Sequence, residues 1–283
     1  MRLHIHHQTR YTFRRQVVLQ PHRLLVTPRA GNELRLVELN LDAGPGASID
    51  WADDVFANRV ATINFATPTD DLVLLMEAIV DQDATVFPVF KIAVEAHRYP
   101  FAYGLDDRID LGALLSPRAD ADADMISKWA HAFVAAPPTD TLSLLKDLNA
   151  GMLSAIAYRI RDEEGTQSPA ETLALGSGSC RDIAALFIEA ARSLGFGARA
   201  VSGYLHDPAQ ATAAGSTHAW AEIYLPGAGW IAFDPTHQRV GDAQLIPVAV
   251  GRHNGQIMPV TGGYVGSPGD ALSLAVDVSV TQA

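Results

Sequence analysis

At 283 residues the chain is long enough for about two domains and can bury a sizeable core without covalent staples. Its formal charge of −11 argues against nucleic acid as a partner, because that affinity rests on clustered Lys and Arg. A single cysteine excludes an intrachain disulfide, a thiolate zinc site and an iron–sulfur cluster.

Residues Met1 to His7 alternate apolar and polar side chains and lack the apolar run of a signal peptide. Apolar stretches elsewhere stop short of the ~18 residues that span a bilayer. A cytoplasmic protein with no membrane partner is therefore expected.

The first third reads as β. Short alternating or β-branched runs near 3–13, 22–28 and 33–41 are punctuated by Pro21, Pro28, Gly31 and the Gly44-Pro45-Gly46 turn. Residues 48–64 and 85–98 continue the pattern, with Val60, Ile63, Phe65, Val86, Val89 and Ile92 to Val94 as buried positions. Turn signals every ten or so residues predict a small antiparallel sandwich or barrel. His4 and His6 share one strand face, but no local carboxylate cluster completes a metal site, so they read as polar face residues.

A polar stretch from Ser116 to Asp124 marks a boundary. Its aspartates lack the turn glycine and closing glutamate of a calcium loop. Helical periodicity follows over 125–135 and 140–160, with Thr139 or Asp140 as a cap. A further helix is predicted over 180–194, then strands at 198–205, 218–225 and 230–234. Helices followed by strands make the class α+β. The expected division is a β-rich N-terminal domain (1–115), a linker (116–124), a core (125–252) and a tail (253–283). Strict alternation from Leu272 to Val280 makes that tail end in a closing strand paired with a sheet elsewhere.

Chemistry concentrates at Cys180. Ser179 and Asp182 form a capping-box pattern, which puts Cys180 at the first helical position. The helix N-terminus favours thiolate over thiol, and its free N–H groups can bind an oxyanion. Gly176 and Gly178 let the chain approach without side-chain obstruction. A thiolate nucleophile needs an imidazole, and the imidazole needs an acceptor. On the strand starting at Ser216, His218, Trp220, Glu222 and Tyr224 share one face, and Ala219, Ala221, Ile223 and Leu225 face the core. If a three-residue loop pairs Leu225 with Gly229, Asp234 falls opposite Trp220 and diagonal to His218. Loops one residue shorter or longer put Asp234 on the wrong face.

Three segments together, Gly-Ser-Cys-Arg-Asp at 178–182, His-Ala-Trp-Ala-Glu at 218–222 and Trp-Ile-Ala-Phe-Asp-Pro-Thr at 230–236, resemble the core of bacterial transglutaminase-like proteins, relatives of the papain-like cysteine enzymes. Thr166 to Pro169, Glu171 to Leu173 and Val201 to Tyr204 extend the match, and Leu24 to Pro28 resembles a piece of the N-terminal β domain that accompanies this core. The resemblance implies a papain-like fold in which a helix bearing Cys180 packs on an antiparallel sheet bearing His218 and Asp234. It implies Cys180 as nucleophile, His218 as general base and acid, and Asp234 as the residue orienting the imidazole.

The implied reaction is acyl transfer from a peptide, protein or small amide through a thioester. Hydrolysis is favoured, with amine cross-linking or a non-catalytic peptide-binding scaffold as alternatives, and no cofactor is expected. The Cys180 N–H is the first oxyanion donor; Ser179, Tyr158 and Gln167 are candidates for the rest of that region. Trp220 and Trp230 either line an acyl groove or pack beneath the helix. Glu222 is expected to serve in a salt bridge, and Arg181 and Asp182 in the helix start and an ion pair.

Three positions depart from the family pattern. Ala57 precedes Asn58 where a glycine is common, His237 replaces the usual Asn, and His253-Asn254 replaces a frequent Asp-Tyr. These changes leave the shape of the C-terminal cleft wall, and hence the substrate, open.

Overall fold

The structure is a computed structural model, and it describes residues 1–31, 33–85, 88–118, 123–161, 163–206, 217–241 and 243–283. Six antiparallel strands open the chain: β1 (Arg2–Leu19), β2 (His22–Leu24), β3 (Leu34–Asp42), β4 (Ala47–Asp53), β5 (Arg59–Phe65) and β6 (Thr69–Gln82). In β6, Leu72, Leu74, Met76, Ala78 and Val80 are buried at every second position, the signature of a strand with one face on a core. Opposite them across the β1–β6 ladder stand Tyr11, Thr9, His7, Ile5 and Leu3.

Five helices follow: α1 (Leu105–Leu111), α2 (Ala123–His131), α3 (Thr141–Ala155), α4 (Pro169–Leu175) and α5 (Cys180–Ser193). Four strands complete the second half: β7 (Gly197–Leu205), β8 (Thr217–Leu225), β9 (Gly229–Asp234) and β10 (Leu245–Gly251). Their sheet has the order β9-β8-β7-β10, with Arg239–Val240 added beyond β9. α5 is buried on nearly every side; Phe187 stacks on Phe233 with ring centroids 5.6 Å apart, so the helix sits against the sheet as the resemblance implies.

The closing strand β11 (Ala271–Gln282) returns to the first half and pairs with β1, giving the order β11-β1-β6-β3. A second sheet joins β4, β5, β2 and Val260–Thr261. One cluster of buried apolar side chains runs from Leu3 and Ile63 through Leu144 to Phe187 and Ile223. Asn58, fully buried, ties the two halves: its Nδ2 donates to the Val250 carbonyl (2.7 Å) and its Oδ1 accepts from the Val250 N–H (2.8 Å). Ala57 beside it has φ +55°, a left-handed conformation that glycine adopts without a Cβ penalty.

Two expectations change. Residues 88–93 form no strand; Pro88 interrupts the run, and Val89 and Val94 are 89% and 83% exposed. Among the described residues, the segment's one backbone hydrogen bond to a distant part of the chain runs from the Ala93 N–H to the Pro226 carbonyl. Val86 and residues 119–122 of the expected linker lie outside the described residues. The ion pair at the helix start also differs: Asp182 faces Arg161 (3.2 Å), and Arg181 donates instead to the carbonyls of Glu163 and Gly165. No helix among the described residues is long and apolar enough to cross a membrane.

Candidate active site

Local sequence sets each of the three central side chains. Asp182 accepts from both the N–H (2.8 Å) and the Oγ (2.7 Å) of Ser179, so the cap closes and Cys180 becomes the first residue of α5. A Cβ at position 178 would stand 2.9 Å from Asp182 Cβ, so only glycine lets the chain turn this closely into the helix. Leu225 pairs with Gly229 across the β8–β9 hairpin, and Ala221 with Phe233, which sets Asp234 opposite Trp220 as strand parity requires.

His218 and Asp234 are buried, and His218 Nε2 lies 2.9 Å from Asp234 Oδ2. Asp234 Oδ1 accepts from the backbone N–H groups of Thr236 (3.0 Å) and His237 (3.3 Å). A second imidazole reaches the same carboxylate: His237 Nδ1 is 2.7 Å from Oδ2. Burial works against the charged carboxylate, yet the hydrogen bonds and charges of the two histidines hold its pKa far below the usual range. The His218 ring stacks on Trp220 (centroids 5.9 Å, 25°) and meets the edge of His237 (5.1 Å, 64°).

The half-buried Cys180 thiol completes the group. Burial raises its pKa, but the hydrogen bond and charge of His218, with the N–H groups of Ala219 and Arg181, outweigh burial and lower it. Burial alone would lower the His218 pKa; hydrogen bonds to Asp234 and Cys180 and their charges raise it to about 10. Both directions favour a thiolate–imidazolium pair.

Cys180 and His218 open onto a cavity of ≈ 280 Å³. Its far wall comes from the two ends of the chain: Thr9 and Tyr11 of β1, and Leu274 and Val276 of β11. Met258 and Val260 close a third side. His7 anchors this wall. Its Nδ1 lies 2.9 Å from the Tyr204 hydroxyl, which donates to the Val26 carbonyl (3.0 Å), and burial pulls the imidazole pKa down to about 4, keeping it neutral. A wider groove of ≈ 710 Å³ adjoins, sharing Tyr11, Arg181, Asn254 and Leu274 with the cavity and reaching Arg118, Glu163 and Glu189.

The other expected residues fall in distinct places. Ser179 is engaged as the cap. Tyr158 is 49% exposed and close enough to Cys180 for the thiolate charge to help raise its pKa, after burial. Gln167 lines the adjoining groove; its N–H donates to Asp182 and its Oε1 accepts from Thr172. Trp220 and Trp230 line a separate cavity rather than the one holding Cys180. Trp220 packs over Gly203, and Trp230 carries Arg199 above its ring at 4.1 Å. Glu222 pairs with Arg199 at 2.6 Å. His218, Asp234 and His237 present ligand atoms within 4.8 Å of one another, a grouping that could hold a metal, although shared hydrogen bonding to Oδ2 already accounts for it.

Residues 127–235 match the transglutaminase-like superfamily, and residues 3–81 match the bacterial transglutaminase-like N-terminal region. A solved structure from Cytophaga hutchinsonii, described as a candidate cysteine protease, aligns over 100% of this chain and 91% of its own with a TM-score of 0.78 and 20% identity, a likeness of fold. An uncharacterized protein from Mycobacterium leprae is 36% identical over 106 residues, which span 36% of this chain and 37% of that relative.

Proposed function

Because this chain joins a transglutaminase-like core to the bacterial transglutaminase-like N-terminal region, we propose that it is a cysteine-dependent acyl-transfer enzyme acting on peptide bonds by hydrolysis. The observation that carries this reading is geometric: Cys180 stands at the first position of α5 and His218, 2.9 Å from Asp234 Oδ2, lines the same cavity, an arrangement that favours a thiolate beside an imidazolium.

In the proposed reaction the Cys180 thiolate attacks the carbonyl carbon, and the oxyanion meets the Cys180 N–H at the helix N-terminus. His218 gives its proton to the leaving amine as the C–N bond breaks, leaving a thioester. Water then attacks the thioester, passing a proton to His218, and the C–S bond breaks to release the acid and restore the thiolate. Asp234 holds the imidazole in orientation throughout. The wider groove adjoining the cavity, which reaches Arg118, Glu163 and Glu189, leaves room for water and for the departing chain, and this supports hydrolysis.

Iodoacetamide alkylation followed between pH 6 and 8 tests the pair, and digestion of a peptide library read by mass spectrometry tests the reaction. Alkylation at Cys180 should exceed that of an ordinary thiol at pH 6, and cleavage should vanish in Cys180→Ala. Cleavage that survived this substitution would refute the mechanism.

A further inference from the structure

His4 and His6 share the outer face of β1, since their neighbours Leu3 and Ile5 are fully buried on the other side. The β1–β6 ladder sets Glu77 directly opposite His6, and the β1–β11 ladder sets Asp277 opposite Gln8, diagonal to His6. Two imidazoles therefore converge on one carboxylate oxygen: Glu77 Oε1 lies 3.9 Å from His4 Nε2 and 3.7 Å from His6 Nδ1. The other nitrogen of His6, Nε2, is 3.8 Å from Asp277 Oδ2. The carboxylates that the local sequence lacks arrive on two other strands.

Elsewhere on this face charge is matched. Arg2 and Arg10 each donate two hydrogen bonds, to Asp81 and Asp71, at 2.8–3.0 Å, and Arg35 also reaches Asp81. Glu77 and Asp277 have no Lys or Arg partner among the described residues, and none of the four side chains makes a hydrogen bond with one of those residues. Whenever the imidazoles are neutral, the two carboxylates flank His6 uncompensated, and a cation relieves them. The donor set selects that cation: imidazole nitrogens suit Zn²⁺, whereas Ca²⁺ and Mg²⁺ take oxygen ligands. Zinc bonds of ~2.1 Å at tetrahedral angles separate ligand atoms by about 3.4 Å. The present 3.7 and 3.9 Å are slightly wider, a gap that partly exposed side chains can close.

We propose that His4 Nε2, His6 Nδ1 and Glu77 Oε1 bind one Zn²⁺ on the outer face of the β11-β1-β6-β3 sheet, with water as the fourth ligand and Asp277 accepting the Nε2 hydrogen of His6. A carboxylate on the far nitrogen is the usual device that orients a zinc-bound imidazole. The site lies across the sheet from Cys180. The opposite face of the same strands carries Thr9, Tyr11, Leu274 and Val276 of the cavity wall. Among the described residues β11 pairs with β1 alone, so an ion that links β6 to β1 and, through Asp277, to β11 holds the edge strand of that wall. The inference does not depend on the reaction proposed above.

The test is calorimetric titration of the full chain with zinc chloride after EDTA treatment and dialysis, in a Cys180→Ser background that removes the thiol as a competing ligand. One zinc should bind per chain, about 100-fold or more tighter than Ca²⁺ or Mg²⁺. His4→Ala and His6→Ala should each weaken binding about 100-fold, and Asp277→Asn about tenfold. Glu77→Gln, which keeps the shape of the side chain, should weaken it about tenfold and serves if a histidine variant fails to fold. His237→Ala should leave it unchanged. Saturating zinc should raise the thermal midpoint by a few degrees and slow amide exchange in β11, and do neither in His6→Ala. No binding at millimolar zinc, equal affinity for zinc and calcium, or binding that survives loss of both His4 and His6 would overturn the site. So would loss of binding in His237→Ala, which would assign the metal to His218, Asp234 and His237 instead. Zinc bound with unchanged exchange in β11 would overturn its hold on the edge strand.

Discussion

Replacing Asp234 by Asn perturbs the site at a fully buried charge. Asp234 accepts four hydrogen bonds, from His218, His237 and two backbone N–H groups, and an amide would turn an NH2 group toward one of these donors. Its larger effect is on the proton of His218. Moving an imidazole from 6.5 to about 10 corresponds to ~5 kcal/mol, at about 1.4 kcal/mol per tenfold. Asp234 and Cys180 share that stabilisation. Losing one hydrogen bond to a charged, buried group costs ~1.5–3 kcal/mol, or about 10- to 150-fold in kcat/KM. The sign is fixed at both ends of the pH profile. Without the carboxylate His218 loses its proton at lower pH, so the alkaline limb moves down. The thiolate loses part of its cationic partner, so the acid limb moves up. Iodoacetamide alkylation of Cys180 should climb at a higher pH in Asp234→Asn than in the unmodified protein, because the thiol pKa is lowered less. An unchanged alkylation profile in a folded Asp234→Asn protein would refute the claim that this carboxylate sustains the ion pair.

His237 should act as a positioning residue for the same carboxylate. His237→Ala removes a 2.7 Å hydrogen bond and the ring edge against His218, and should lower kcat/KM about tenfold with KM little changed; His237→Asn keeps a donor and should recover most of it, and a His237→Ala enzyme equal to the unmodified one would remove this role. Ala57→Gly should raise stability by up to about 1 kcal/mol, because φ +55° costs an alanine ~1–2 kcal/mol and glycine's extra freedom in the unfolded chain returns part of that. Urea denaturation midpoints check it, and a midpoint that stayed or fell would show that the turn holds no strain.

What could be read in advance was local or followed from parity. Ser179 and Asp182 are three residues apart, so the cap and the place of Cys180 at the helix start follow from short-range chemistry. The hairpin between Leu225 and Gly229 needs only a loop length, and a period of two then carries Asp234 to the face of His218. Val89 and Val94 misled because β-branched composition describes a strand only where a neighbouring edge accepts its hydrogen bonds. Trp220 was ambiguous for a related reason. Strand parity gave it His218's face, but both faces of β8 are covered, and the cavity opens beside the strand rather than above Trp220. Ala57 stood out as a departure from the family pattern, yet its strained φ is a property of the turn that Asp54 and Asn58 build around it.

The least legible part is the wall of the cavity, and its position in the chain explains why. Tyr11, Asn254, Leu274 and Val276 all lie outside residues 127–235, where the chain matches the transglutaminase-like superfamily. Tyr11, Leu274 and Val276 share a wall because β11 returns to pair with β1, a contact between opposite ends of the sequence, and Asn254 is held there by its bond to the Arg181 carbonyl. The three central side chains and the far wall of their cavity are therefore encoded separately. Cys180, His218 and Asp234 depend on a cap and a hairpin inside the core, and those local devices tolerate wide change elsewhere. The wall depends on which side chains the outer strands present at alternate positions, and a one-residue slip of β11 would replace Leu274 and Val276 by Ser273 and Ala275. Chains sharing this core should accordingly share its thiol chemistry while differing in the peptides they accept.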